Sequence, residues 1–495
     1  MNNLYLKFSQ LIAMIAGTDA TLPSDKVTLI ARGVMLAALF VVVFAIWYLY
    51  FTKHAPELRR MFWWSAGILA LVVIGKYALY HFYKSYIPNH LIFYALPSPK
   101  AAGVGWFILP LIIFATFSFY REKMMGWPTG KFLAGLWITF VSFALSVAAT
   151  RDGLYSIYER FTHIFGEYTG NLPMVKSVGD FLHNFYIYHF SSLSHTVTHP
   201  PGFTLLLYFF QKIFQVDYLS LSVAVVMFGA LSIIPIYYFF KEFVSEEVVR
   251  RGLTLYIFFP SVVLMGATTM DFTFVVMVWL AIALLCYGWR QSAALAFPGG
   301  LAAAGALFMN FLFLLLAPFF GWLVWYSWRA SANCRRTLIG VGCSLAGFIL
   351  FFLVIQHWSG YSIIDNFFVA RLAAQSVVPS NFESVGKFLI YMFVSLAEFA
   401  FYLGIPYLYL FFTDLRGSWR KSALWFKVGV ANVAFFLIIG IFQCETGRLW
   451  LFLTPFFVLG NMSLLSNDRK REYSAFLALT AFQIMLTQSL FYADW

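Results

Sequence analysis

Apolar stretches long enough to cross a membrane recur from one end of this chain to the other, and they limit its fold more than any other feature. Each is about 17 to 25 residues long, the length that a helix needs to span a hydrocarbon core of about 30 Å. The clear stretches are 33–51, 61–83, 104–120, 131–149, 219–241, 272–289, 337–355, 387–412, 428–443, 449–465 and 474–491. Two regions are ambiguous: 202–215 is short, and 293–328 fits one tilted span or two half-spans broken near Asn310. The sequence predicts about 11 to 14 transmembrane helices.

The composition leads to the same class of protein. Hydrophobic residues make up 61% of the chain and charged residues only 11%, which the surface of a water-soluble domain could not accommodate. Backbone polar groups in lipid must be paired within the spanning structure, and no alternating pattern of about ten residues recurs, so helices are favoured over a barrel. We therefore predict an all-α polytopic membrane protein.

Lysine and arginine indicate the orientation, because short positively charged loops stay in the cytoplasm. The basic clusters are Lys53, Arg59 and Arg60; Arg121, Lys123 and Lys131; Arg329, Arg335 and Arg336; Arg416, Arg420, Lys421 and Lys427; and Arg469, Lys470 and Arg471. They place 84–100, 150–201, 356–386 and 443–448 on the external side, whereas 241–251 carries both signs and favours neither side. The net charge of +12 is mostly this topological signal, so it gives no reason to expect a nucleic acid partner.

The cysteines and the familiar short motifs give little further direction. Cys286, Cys334, Cys343 and Cys444 lie far apart, in a pattern that fits neither a disulfide framework nor a zinc site. The sequence also has no Gly-rich phosphate loop and no tandem repeat. Any chemistry is therefore expected in the loops at the membrane surface.

The longest hydrophilic segment, 151–201, is the first place to look for a site. It holds five of the nine histidines and four acidic residues. It begins with Asp152 directly after a span and ends in "HTVTHPPGF", where the prolines suit the first turn of a helix because their missing N–H would be unpaired there anyway. One interpretation is structural: Asp152 balances Arg151 at the interface, and the prolines only start a helix. The other is that the segment forms an active site.

The order of these features resembles the GT-C glycosyltransferases, in particular the lipopolysaccharide-modifying and protein mannosyltransferase group. Asp152 matches the acidic residue early in the first external loop, and His199 with its two prolines matches the motif before the next span. In "GATTMDF", Asp271 resembles the second acidic position of the family. In "CETGRLWLFLTPF", Glu445 and Arg448 resemble the motif that reaches the headgroup of the lipid carrier. The resemblance covers roughly 131 to 465.

This resemblance implies a multi-pass enzyme of the bacterial inner membrane with its active site facing outward. Such an enzyme moves a sugar from a polyprenyl phosphate or pyrophosphate donor to a hydroxyl group on a lipid, glycan or protein acceptor. The expected organisation is an N-terminal transmembrane extension (1–120), a catalytic core (121–465) whose large external loop 151–201 carries short helices, and a C-terminal transmembrane helix (466–495). A second external loop is expected at 356–386.

Glycosyl transfer requires a base for the acceptor hydroxyl and positive charge for the phosphate leaving group. Asp152 is the expected base. His199 and Arg448 are expected to bind the donor phosphate, because guanidinium and imidazolium groups suit oxyanions, and Arg371 is a weaker third candidate. Supporting roles are expected for Asp180, His195, Asp271 and Glu445.

Metal dependence is open. Asp152 is followed by Gly153, so a pair of adjacent carboxylates is not available, but Mg²⁺ or Mn²⁺ could be held by Asp152 together with donor phosphate oxygens. His195 and His199 have a spacing seen in zinc sites, but no third ligand is evident. We therefore predict no metal ligand beyond Asp152.

Two other classes of function are compatible with a polytopic basic chain. A transporter or flippase tends to place ionisable groups inside its spans, where this sequence has only a few, with Lys76 and Glu398 as the exceptions. A lipid-linked glycan polymerase or ligase shares the donor type but usually has two large external loops, whereas only 151–201 is large here. The concentration of acidic residues in external loops favours the glycosyltransferase.

Overall fold

The computed structural model describes residues 24–82, 93–162, 168–187, 194–214, 217–267, 269–330, 334–377, 381–413, 424–460 and 469–492. The α-helices up to residue 266 are α1 (Ser24–His54), α2 (Arg59–Phe82), α3 (Val104–Met125), α4 (Thr129–Asp152), α5 (Tyr155–Thr162), α6 (Val178–His183), α7 (Ser194–Val197), α8 (Gly202–Phe214), α9 (Tyr218–Ala230), α10 (Ile233–Lys241), α11 (Glu246–Tyr256) and α12 (Pro260–Gly266). The later ones are α13 (Asp271–Arg290), α14 (Ala293–Met309), α15 (Ala317–Ala330), α16 (Cys334–Ser359), α17 (Ile363–Val377), α18 (Val385–Leu403), α19 (Ile405–Thr413), α20 (Leu424–Ile439), α21 (Thr446–Leu449), α22 (Thr454–Gly460) and α23 (Lys470–Leu490). Short 3-10 helices occupy Pro56–Leu58, Tyr168–Met174, Phe311–Leu316, Asn381–Glu383 and Leu451–Leu453.

Long apolar helices dominate the described part of the chain, as the sequence predicts. Eight of them are long and apolar enough to cross a membrane, and the bent pair α11 and α12 would make a ninth. The eight are Gly33–Lys53, Pro56–Tyr80, Thr129–Asp152, Tyr218–Lys241, Asp271–Arg290, Phe311–Arg329, Cys334–Ser359 and Val385–Leu403. By length and composition, the chain therefore belongs to the all-α, multi-pass membrane class.

The eight are fewer than the sequence estimate of about 11 to 14, and two of the predicted stretches are interrupted within the fold. The stretch 387–412 divides into α18 and α19 at Gly404, whose φ of 107° is accessible to glycine but strained for other residues. The stretch 293–328 breaks at Asn310, as one of its two predicted arrangements has it. There the Asn310 side chain accepts the N–H of Leu312 at 2.9 Å and starts a 3-10 helix.

A bent pair of helices that the sequence stretches leave out lies at 246–266. Its first turn is charged, but Glu246 accepts hydrogen bonds from Arg250 at 2.6 Å and from the Tyr237 hydroxyl at 2.9 Å, so the charges are paired. The rest of the element is buried and bends by 53° where Pro260 begins α12. Because Tyr237 on α10 helps to pair these charges, a segment of mixed charge can pack in the core.

The two ends of the chain pack together. Strand β1 (Leu96–Pro97), which precedes α3, pairs in antiparallel orientation with β2 (Phe491–Tyr492), which follows α23. Helix α1 packs against α23, and α2 packs against α19. The N-terminal helices are therefore built onto the same helical body as the rest of the chain.

Glycines allow α14 and α16 to approach closely. A Cβ atom on Gly300 would overlap the carbonyl oxygen of Ser344, and one on Gly347 would overlap the carbonyl oxygen of Phe297. Small residues at such positions let helix backbones pack directly, which is a main source of helix association in lipid.

We expect Gly300→Ala to destabilise the protein by roughly 1 to 3 kcal/mol, because the added methyl group must push α14 away from α16. The measurement is the thermal unfolding midpoint of the protein in lipid nanodiscs. Gly342→Ala is the matched control, since it lies on α16 with open space around it, and its midpoint should stay unchanged or rise slightly. Equal losses in both variants would contradict close packing at Gly300.

Candidate functional site

Three residues that the sequence singles out meet in one buried group, which we call the Arg448 cluster: Asp271, Glu445 and Arg448. Arg448 lies on the short helix α21, and its Nη1 donates to Asp271 Oδ2 at 3.0 Å. Its Nη2 donates to Glu445 Oε2. The Arg448 side chain is 11% exposed and that of Asp271 only 8%, so this pairing takes place largely out of water.

The electrostatics of the cluster keep the arginine charged. Burial opposes the charge, but Glu445 and Asp271 more than compensate and raise the pKa of Arg448 above its ordinary value. Asp271 is the first residue of α13, so its carboxylate lies at the positive end of a long helix dipole. The Nε atom of Arg448 is buried without a hydrogen-bond partner, which leaves one charged donor available.

The backbone at Glu445 is unusual. Its φ is 65°, and it is the only residue other than glycine with a positive φ among those that the structure describes. Such a conformation is uncommon for a residue with a side chain and persists where the surrounding structure enforces it. In this position Glu445 turns the chain from α20 into α21 and directs its carboxylate towards Arg448.

The His-Pro-Pro motif is next to Tyr168, a residue near the Arg448 cluster. The ring of His199 packs edge-on against the ring of Tyr168, with 5.8 Å between the centroids, and its Nδ1 is 2.9 Å from the hydroxyl of Thr198. Tyr168 also interacts electrostatically with Arg448. The structure therefore brings His199 into the neighbourhood of the Arg448 cluster, although the two are far apart in sequence.

The residues after His199 fix where the chain re-enters the helical body. The carbonyl of Pro201 accepts the first hydrogen bond of α8, from the N–H of Leu205 at 3.0 Å. Gly202 follows, and a Cβ atom there would overlap the carbonyl oxygen of Phe308 on α14. Both interpretations of the motif predict a helix start, and this part of the prediction is confirmed.

Asp152 is the last residue of α4, and cationic side chains surround it. Lys100 Nζ lies 2.5 Å from its Oδ1, and Arg151 Nε lies 3.9 Å from its Oδ2. Its own N–H donates to the Ser156 hydroxyl at 2.8 Å. The closest counter-charge is thus Lys100 and not Arg151, which the structural interpretation of the sequence had named.

This environment does not suit a divalent cation at Asp152, because Lys100 and Arg151 already compensate the carboxylate. Within the described ranges, no group of three or more His, Cys, Asp or Glu side chains could hold a metal ion. We therefore assign no step to Mg²⁺ or Mn²⁺.

The structure describes Asp180 and Arg371 in other surroundings. Asp180 is on α6, where it accepts from the Asn184 amide at 3.0 Å, and its neighbour Phe181 belongs to a separate apolar core. Arg371 is an exposed residue of α17. His195 is on α7, but its side chain lies outside the described part of the structure.

Two charged residues within the spans turn out to support the cluster. Glu398 of α18 is fully buried, and its two oxygens accept from the N–H of Tyr94 at 3.2 Å and of Thr446 at 3.0 Å. Lys76 of α2, 1% exposed, donates to the carbonyl of Phe93 at 2.7 Å and interacts electrostatically with Glu398. Because Phe93 and Tyr94 are adjacent, these hydrogen bonds connect α2 to Thr446, the residue directly after Glu445.

Fold and site together define a helical multi-pass membrane protein with a buried arginine–carboxylate cluster beside a histidine. No family model, curated protein or solved structure matches the chain. The resemblance to GT-C glycosyltransferases, which rests on short motifs, therefore stays a prediction.

Proposed function

We propose that the protein is a GT-C-like membrane glycosyltransferase that moves a sugar from a polyprenyl phosphate or pyrophosphate donor to a hydroxyl acceptor on the external face of the membrane. The observation that carries the proposal is the Arg448 cluster with His199 beside it. The motif positions Asp271, Glu445 and Arg448 are in direct contact, and Tyr168, whose ring packs against His199, lies within electrostatic range of Arg448.

In this mechanism Arg448 binds the phosphate of the donor. Asp271 holds the guanidinium from the helix side, and Glu445, the more exposed of the two carboxylates, is the one that the phosphate displaces. The unpartnered Nε then donates to a phosphate oxygen, as a guanidinium fork suits an oxyanion. The positive charge stabilises the phosphate as it leaves the sugar.

Asp152 acts as the general base. Lys100, whose side chain is 45% exposed, covers the carboxylate and moves aside when the acceptor hydroxyl enters. The carboxylate then takes the hydroxyl proton as the new glycosidic bond forms. The bond between the sugar and the carrier phosphate breaks, and the lipid phosphate remains at Arg448.

The two charged residues inside the spans, Lys76 and Glu398, are relevant to the alternative that the protein is a transporter. Ionisable groups inside a membrane often mark the path of a transported substrate. Here Glu398 accepts from two backbone N–H groups and Lys76 donates to a backbone carbonyl, so both are engaged in holding the chain. This arrangement favours a structural role and leaves the glycosyltransferase as the better-supported function.

The proposal predicts that His199→Ala and Arg448→Gln each weaken binding of a polyprenyl monophosphate. Each variant loses a charge-assisted hydrogen bond, worth on the order of 1.5 to 3 kcal/mol, which corresponds to roughly 10- to 150-fold in affinity. Binding is measured with the purified protein in nanodiscs by native mass spectrometry.

His195→Ala is the control, because it removes a histidine of the same segment that does not match the family motif. It should change the affinity much less. Unaltered binding in His199→Ala would show that the histidine only fixes the loop, and unaltered binding in Arg448→Gln would overturn the phosphate site.

A further inference from the structure

A second polar site lies beneath Asp152. It is a cavity of about 50 Å³, which we call the Arg151 cavity. Its polar lining comes from Arg151, Ser156, Glu159, Arg160, Gln488 and Tyr492. A cavity of this size holds only a few water molecules, so it has room for one small charged group and not for a sugar ring.

The charge of the lining is positive. Arg151 and Arg160 are 6% and 7% exposed, and their guanidinium groups lie 4.8 and 4.7 Å from the centre of the Tyr492 ring. Glu159 accepts from the Tyr492 hydroxyl at 3.1 Å and supplies the one negative charge of the lining. Glu159 offsets one of the two guanidinium charges, so the lining keeps one positive charge in excess.

Arg151 also has an unsatisfied donor. Its Nη1 and Nη2 donate to Ser98 and to the carbonyl of Phe491, but its Nε is buried without a hydrogen-bond partner. The Oδ2 atom of Asp152 lies 3.9 Å from Nε, which is too long for a hydrogen bond. A buried charged donor without a partner is costly, and an oxyanion in the cavity would satisfy it.

The Arg151 cavity is next to both parts of the proposed active site. Arg151 directly precedes the base Asp152 in sequence. Tyr402 also lines the cavity and packs so closely against Gly447 that a Cβ atom there would overlap its ring. Gly447 directly precedes Arg448. The cavity is thus lined by a residue next to the base and by a residue that contacts the neighbour of Arg448.

We infer that the Arg151 cavity binds a phosphate group carried by the acceptor, so that the acceptor is a phosphorylated molecule whose hydroxyl group faces Asp152. That the phosphate belongs to the acceptor rests on the proposed function. That the cavity binds a phosphate rests on the residues of the cavity alone. The phosphate belongs either to a lipid headgroup or to a soluble compound, since the same guanidinium chemistry recognises both.

The test uses the intact protein in phosphatidylcholine nanodiscs with two probes, inorganic phosphate and phosphatidic acid added to the nanodisc. Binding is followed as a rise in the unfolding midpoint, with sodium chloride of equal ionic strength as the control. Stabilisation by inorganic phosphate identifies a soluble source, and stabilisation by phosphatidic acid alone identifies a lipid; both support the site. Arg160→Gln should weaken the binding by about tenfold or more, while Arg335→Gln, which removes an exposed arginine of α16, should not.

A second measurement avoids the possibility that Arg160→Gln fails to fold. Phenylglyoxal labelling of the wild-type protein, followed by peptide mass spectrometry, should show Arg151 and Arg160 protected by phosphate and Arg335 unprotected. Absence of both protection and stabilisation overturns the site.

If Arg160→Gln weakens polyprenyl phosphate binding as strongly as Arg448→Gln does, the cavity belongs to the donor and the acceptor assignment is overturned. If Arg448→Gln loses donor binding but still binds phosphate in the Arg151 cavity, the donor site fails independently of the cavity, and the two proposals are distinguished.

Discussion

Asp152→Asn should reduce sugar transfer by roughly 10²- to 10⁴-fold, the usual contribution of a general base. The asparagine keeps the size and hydrogen-bonding reach of the side chain but cannot take a proton from the acceptor. Transfer is measured as the release of labelled sugar from a panel of polyprenyl phosphate sugars in membranes that contain the protein. The unfolding midpoint is recorded in parallel, because the ion pair with Lys100 is lost in the same variant.

Asp180→Asn is the control for this prediction. Asp180 belongs to the same loop segment, but it lies on α6, where it accepts from the Asn184 amide. It should lose far less activity. A larger loss in Asp180→Asn than in Asp152→Asn would mean that the wrong carboxylate has been aligned with the family motif. A lower unfolding midpoint without loss of transfer would leave Asp152 as the counter-charge of Lys100.

The helical, multi-pass character of the fold could be predicted from the sequence, because apolar length is a local property. The breaks within the helices depend on the tertiary structure. Gly404 has a positive φ only because α18 and α19 take different directions, and no composition signal shows that in advance. The element at 246–266 was missed for a related reason: the Tyr237 hydroxyl that helps to pair its charges comes from the preceding helix α10.

Only part of the candidate site could be predicted from the sequence. Asp271, Glu445 and Arg448 could be selected from short motifs, and the structure places them in contact. Tyr168 had no signal in the sequence, since it is one tyrosine among 28 in an aromatic-rich chain. The partner of Asp152, Lys100, lies in the part assigned to the N-terminal extension and reaches the site through the fold.

The two charges inside the spans did carry a signal, because ionisable residues are costly in a membrane and are kept only for a reason. The sequence could not show that Lys76 and Glu398 belong together, since more than three hundred positions separate them. Their joint position explains how an N-terminal helix outside the family resemblance contributes to the site. Glu398 holds the backbone of Thr446, and that residue follows the strained Glu445.

Lys76→Met should destabilise the protein by roughly 1 to 3 kcal/mol, the usual cost when a buried carbonyl, here that of Phe93, loses its hydrogen-bond donor. Methionine fills a similar volume, so the loss reflects the missing charge and hydrogen bond of Lys76 and not a cavity. The measurement is the free energy of unfolding in mixed micelles. Polyprenyl phosphate affinity should also fall, because Lys76 no longer anchors Phe93, whose neighbour Tyr94 donates to Glu398, the residue that holds Thr446.

The double variant Lys76→Met/Glu398→Gln separates the charge from the packing. It removes both charges, so it should be more stable than the sum of the single losses by roughly 0.5 to 3 kcal/mol of coupling. It should not recover full donor affinity, since an amide can accept from only one of the two N–H groups that Glu398 now satisfies. Additive losses would show that Lys76 and Glu398 act independently. Full recovery of donor affinity would show that the Thr446 hydrogen bond does not position Arg448.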